Sequence, residues 1–122
     1  MLPRKENIII AKSDVYSNRI LKLYQYLTDV KHEFVISKQI VRSGTSIGAN
    51  TRESKNAQSR MDFLNKLNIA LKEADESLYW IELLIATGFL SEEHGKSIWN
   101  DCEEMVKLLV ATTKKVYDKS DL

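Results

Sequence analysis

Apolar residues recur along this chain at alternating three- and four-residue steps, the period of an α-helix with one buried face. The pattern is clearest in the middle. Phe63, Leu67, Ala70, Ala74, Leu78, Ile81 and Ile85 keep it almost without a break, which predicts a helix over 59–87 whose stripe forms a bundle seam. Gly88 suits the left-handed residue just past a helix end. Ser91 suits the N-cap of a helix over 91–117, with Glu92 and Glu93 in its positive first turn and Lys114 and Lys115 in its last. Ile98, Cys102, Met105, Leu109, Thr112 and Val116 form its stripe. Upstream, Ile20, Leu23, Leu27 and Val30 predict a helix over 13–30, with Ser13 and Asp14 as capping residues. Ile36, Ile40 and Ile47 predict another over 35–55, reached through the polar connection Lys31-His32-Glu33. Four helices with short connections predict an all-α, antiparallel, up-down-up-down four-helix bundle, one domain over 1–122.

The second helix departs from the simple stripe. Ser43-Gly44-Thr45-Ser46-Ile47-Gly48-Ala49 is a run of mostly small residues, and each glycine costs about 1 kcal/mol against alanine in an exposed helix interior. Close packing against another helix accounts for them, with a kink or a ligand contact as the alternative. The third helix departs in the other direction. Leu78, Tyr79, Trp80 and Ile81, then Leu83, Leu84 and Ile85, point nearly all round its axis, more apolar surface than one bundle face uses. Tyr79, Trp80 and Leu84 are therefore candidate contacts to a second copy of the chain. The plainer reading has Tyr79 and Trp80 covering the bundle edge with their polar atoms in water.

Composition narrows the class. With 122 residues, 43% hydrophobic and 29% charged, the chain reads as one globular domain, and one proline and four glycines are too few for a β- or loop-rich protein. Cys102 is the single cysteine, so no internal disulfide forms, which suits a reducing compartment. No stretch approaches the roughly 20 apolar residues of a membrane helix, and Ile8-Ile9-Ile10-Ala11 is too short for a signal-peptide core, so a cytoplasmic protein with no membrane partner is expected.

Catalytic and metal chemistry is not indicated. A carboxylate-bridged di-iron bundle wants two Glu-x-x-His pairs, and none occurs; His32 and His94 fall in or beside connections, and Asp29 with His32 makes a poor metal site. Cys102 lies on an apolar stripe, where a nucleophile has neither exposure nor a base. No phosphate-binding glycine loop is present, and the Glu73/Glu76 spacing is commonplace on a helix. No cofactor, no metal and no enzyme activity are expected.

Charge supplies the remaining signal. Residues 1–60 hold eleven basic and five acidic residues, net +6, and residues 61–122 hold seven and twelve, net −5. Lys38, Arg42, Arg52, Lys55 and Arg60 form a candidate basic strip on the second helix and the loop after it, able to meet RNA or DNA phosphate. The computed pI near 7.8 is low for a dedicated nucleic-acid domain. Arg42, Ser46, Asn50 and Glu53 share one helix face, with Ser43 beside them. They serve either as a hydrogen-bonded network at a helix or subunit contact, with Arg42 pairing Glu73 or Glu76, or as a polar, phosphate-contacting surface.

The run Arg42-Ser43-Gly44-Thr45-Ser46-Ile47-Gly48-Ala49-Asn50, followed by Glu53, Asp62-Phe63, Lys66-Leu67, Lys72-Glu73-Ala74, Glu76 and Tyr79-Trp80, resembles a known family. This is the bacterial four-helix-bundle family encoded by intervening sequences of large-subunit ribosomal RNA genes. Its relatives include the accessory variability determinant of diversity-generating retroelements. The likeness extends more loosely to Asn18-Arg19-Ile20 and Leu23-Tyr24, and Arg52 adds a positive charge where many members carry small or acidic residues. The resemblance implies an antiparallel bundle assembled as a homopentamer with a central opening. It also implies nucleic-acid and reverse-transcriptase binding for the retroelement relative alone. The function expected on all these grounds is a non-enzymatic oligomer binding RNA or DNA through the basic strip. The alternative is a protein–protein scaffold with no nucleic-acid affinity.

Overall fold

The computed structural model describes residues 4–120, and side chains over 8–118; the remainder of the expected 1–122 domain lies outside the described residues. Four helices follow one another: α1 (Arg4–Asp29), α2 (Ile36–Ser54), α3 (Arg60–Ala86) and α4 (Glu92–Ser120). No strand occurs among the described residues.

The cross-helix pairs fix the topology. Ser13 meets Thr51 while Ile20 meets Gly44; Lys66 meets Glu53 while Arg42 meets Glu73. Trp99 reaches Glu82 while Cys102 reaches Ala74, and Lys12 meets Glu104 while Arg19 meets Asp101. In every pair numbering rises along one helix as it falls along the other, so each neighbour is antiparallel and α4 returns beside α1. The α1–α4 contact is the sparsest of the four.

Helix α1 starts well before the expected Ser13. The reason is that Ser13 belongs to the buried stripe: Ile9, Ser13, Tyr16, Ile20, Leu23 and Leu27 follow four- and three-residue steps, and all are buried. Its hydroxyl donates to the Ile10 carbonyl at 2.8 Å and lies 3.2 Å from Thr51 Oγ1, so it caps nothing. At the other ends caps are present, those at Ser91 and Gly88 as expected. Ser59 Oγ accepts from the Asp62 amide, Ser91 Oγ accepts from the His94 amide, and Gly88 takes φ 83° after α3. Helix α4 runs on past Tyr117 to Ser120.

The start of α2 uses a different device. Glu33 is buried, and its carboxylate accepts from the amides of Val35, Ile36 and Ser37 at 3.0, 2.9 and 2.7 Å. Burial pushes this carboxyl up, but the three backbone donors outweigh it and hold it below the ordinary glutamate range. Ser37 returns a bond to the Glu33 carbonyl, which locks the α1–α2 turn.

The seam of α3 also differs from its expected phase. Leu67, Ala70, Ala74, Ser77, Ile81 and Leu84 are buried, whereas Phe63, Leu78 and Ile85 are half-buried at its flanks. Ser77 takes the central position because Tyr16 Oη, reaching across from α1, lies 2.6 Å from its Oγ. The stripe therefore slips by one residue after Ala74. Leu84, expected on the outer surface as a subunit contact, is 0% exposed and belongs to the bundle's own core.

Both motif glycines of α2 face α1. A Cβ on Gly44 would stand 3.0 Å from Ile20 Cγ2, and one on Gly48 would stand 3.2 Å from Ser17 Oγ. Close α1–α2 packing offsets their helix cost. No helix among the described residues is long and apolar enough to cross a membrane.

Candidate interaction surface

The outer edge of α2 and α3 gathers most of the residues singled out by the sequence. Arg42 leans toward α3, where its Nη1 donates to Glu73 Oε2 at 3.0 Å and its Nη2 meets Glu76. Glu76 Oε2 accepts also from Trp80 Nε1 at 2.9 Å. Tyr79 packs edge-on to Trp80, ring centroids 4.9 Å apart at 65°, and remains 55% exposed while Trp80 is half-buried. One carboxylate thus holds an arginine and a tryptophan side by side, with a tyrosine against them.

The small polar residues of α2 are occupied by their own helix. Ser43 Oγ donates to the Gln39 carbonyl, Ser46 Oγ to that of Arg42, and Asn50 Nδ2 to that of Ser46, at 2.9, 2.7 and 2.9 Å. Such back-bonding lets polar side chains sit close to a neighbouring helix without stranded donors. Ser43 is buried; Ser46 and Asn50 are half-buried beside Arg42. Glu53 accepts from Lys66 Nζ at 3.1 Å, a second α2–α3 ion pair lower on the same edge.

Two of the five residues of the expected basic strip are engaged by carboxylates, on different neighbouring helices. Arg42 is turned to α3 and its two carboxylates. Arg52 is turned to α1, where its Nη2 pairs with Asp14 Oδ2 at 2.6 Å. Lys38, Lys55 and Arg60 are exposed and carry no ion pair among the described residues. The division follows from helix geometry: positions 42 and 52 are ten residues apart, so they fall on opposite flanks of the outer face. Asp14 was missed as a partner because it read as a cap; starting α1 before Ile9 would have placed it beside α2.

The buried chemistry is confined to a small polar group. Cys102 Sγ donates to the Ala74 carbonyl at 3.3 Å, next to the Tyr16–Ser77 pair. Burial pushes its thiol up to about 11, against an ordinary value of 9.0, which leaves it a poor nucleophile near neutral pH. No group of three or more His, Cys, Asp or Glu side chains that could hold a metal exists among the described residues.

The family model for the 23S rRNA-intervening sequence protein matches residues 5–111, which include the whole α2–α3 edge. The chain belongs to that family. A solved relative within reach is a protein of unknown function from the S23 ribosomal protein family of Bacteroides thetaiotaomicron, 55% identical. The match covers 90% of this chain and 98% of that one, with a TM-score of 0.89. No curated protein matches the chain. Family membership thus joins the helical bundle to a group that includes this solved protein of unknown function.

Proposed function

We propose that this family member is a non-enzymatic, cytoplasmic interaction protein that self-assembles through the α2–α3 edge, with Tyr79, Trp80 and Arg42 at the subunit contact. The observation that carries the reading is the shared carboxylate of Glu76, which fixes Arg42 and Trp80 in place beside Tyr79. Tyr, Trp and Arg are the residue types enriched at binding hot spots, and side chains already held in position lose little entropy on docking. The earlier likeness to bundles that form homopentamers supports the same reading and suggests five subunits. Leu84 has no part in it, since it lies in the core.

A second reading, RNA or DNA binding, is favoured by one observation: Lys38, Lys55 and Arg60 are exposed cations with no carboxylate partner among the described residues. It rests otherwise on the sequence resemblance that extends to the retroelement accessory protein. Two of its five basic residues are neutralised by Glu73, Glu76 and Asp14, so self-assembly or protein scaffolding is the better-supported reading.

Light scattering on a sizing column tests both. The native chain should elute near five times 14.1 kDa, and Tyr79→Glu should shift it toward the monomer. A monomeric native chain would overturn the assembly. Co-elution with mixed RNA at low salt, lost on adding salt, would restore the nucleic-acid reading.

A further inference from the structure

The sparse α1–α4 seam holds a cleft of about 380 Å³ between the later half of α1 and the start of α4. Its floor is apolar: Leu23, Leu90 and Ile98, all buried, converge on it. Its rim carries basic side chains. Arg19 and Lys22 stand on the α1 side and His94 on the α4 side, and no carboxylate lines it. Arg19 is engaged by Asp101 and Ser97, whereas Lys22 is exposed and has no ion-pair partner among the described residues. Tyr26 leans over the opening with 41% of its surface exposed.

A second cleft on the same seam, about 230 Å³, is flanked by Lys12, Asp101 and Glu104, so it carries both signs and no charge preference. The first differs in combining an apolar floor with the ammonium of Lys22, unpaired among the described residues, and no lining carboxylate. Its volume falls within the roughly 300–1,000 Å³ of small-molecule sites.

We propose that this cleft binds a single-chain anionic amphiphile, an aliphatic chain ending in a carboxylate. The chain lies on Leu23, Leu90 and Ile98, and the head group meets Lys22 and His94. Burying a methylene chain supplies most of the affinity, at about 0.8 kcal/mol per CH₂, and the Lys22 ammonium sets the sign of the head group. The site is independent of the α2–α3 edge, so it stands whether or not that edge joins subunits.

The test is a titration of the full chain with sodium octanoate at neutral pH, below its micellar concentration. It is read by calorimetry and by methyl NMR of leucine and isoleucine. Saturable shifts should appear at the Leu23, Leu90 and Ile98 methyls. Octylamine, with the same chain and the opposite charge, should bind about tenfold more weakly, and Lys22→Glu should weaken octanoate about fivefold while Lys22→Arg restores it. Lys22 is exposed, so neither substitution threatens the fold. The absence of saturable shifts, an equal response to octylamine, or indifference to Lys22→Glu would each overturn the proposal.

Discussion

The phenol of Tyr16 and the hydroxyl of Ser77 lie 2.6 Å apart across the middle of the bundle, joining α1 to α3, two helices that are not sequence neighbours. Both residues are buried, so neither oxygen has water to fall back on. Tyr16→Phe should lower stability by about 1–2 kcal/mol, because it leaves Ser77 short of a partner. Tyr16→Phe combined with Ser77→Ala should cost less than the two singles added together. Urea denaturation of the four proteins in a double-mutant cycle measures this; strict additivity would show that the bond contributes nothing.

The two motif glycines should respond differently to alanine. At Gly48 the new methyl meets Ser17 Oγ, a side chain able to rotate, so Gly48→Ala should gain up to about 1 kcal/mol of helix propensity. At Gly44 it meets two branches of Ile20, at 3.0 and 3.1 Å, in the closed core. There overpacking outweighs propensity, and Gly44→Ala should lower stability by about 1 kcal/mol. Thermal melts of both variants separate the two effects.

The Glu33 turn carries a pH dependence of known sign. Its folded carboxyl titrates below the ordinary value of 4.5, so its contribution is fully present above that value and disappears as pH falls through the lower folded one. Glu33→Gln should cost about 1–2 kcal/mol at neutral pH, as loss of a helix cap does, and progressively less in acid. Denaturant midpoints measured from pH 7 downward for native and variant chains should converge.

Cys102 makes the opposite case. Its thiol and the Tyr16 phenol are both raised by burial, so the stability tied to their neutral forms is complete below about pH 9. It is lost as pH climbs through about 11 for the thiol. At neutral pH the thiol should be unreactive toward a disulfide reagent in the native protein and react fully on unfolding. Rapid native labelling would contradict its burial.

Helix number, order and the extent of α2 and α3 were legible because their apolar periods are long and their ends carry turn chemistry: Ser59, Gly88 and Ser91 all do what their residue types suggest. The start of α1 was obscured because a serine inside a stripe looks the same in sequence as a serine before one. Only Thr51, thirty-eight residues away, makes Ser13 an interior residue. The phase of α3 was lost for a related reason. Ser77 is polar and occupies a core position, so counting apolar residues put Leu78 and Ile85 inward and Leu84 outward. Among the surface residues, the pairing of Arg42 with Glu73 and Glu76 could be anticipated from charge alone. Arg52 read as a free cation because its acid, Asp14, has the residue type and position of a helix cap, whereas α1 begins earlier and turns Asp14 toward α2.

The seam between the first and last helices has a consequence for how the molecule comes apart. It is the sparsest contact in the ring, with clefts along it and two partly exposed ion pairs across it, Lys12–Glu104 and Arg19–Asp101. Salt screens such pairs; the joint of α1 with α2 also carries one, Arg52–Asp14, but its glycine-tight packing depends on shape. The ring should therefore open like a book, hinged on α2 and α3, at a free energy well below global unfolding. Amides facing that seam would exchange with solvent first, and sooner still as ionic strength rises.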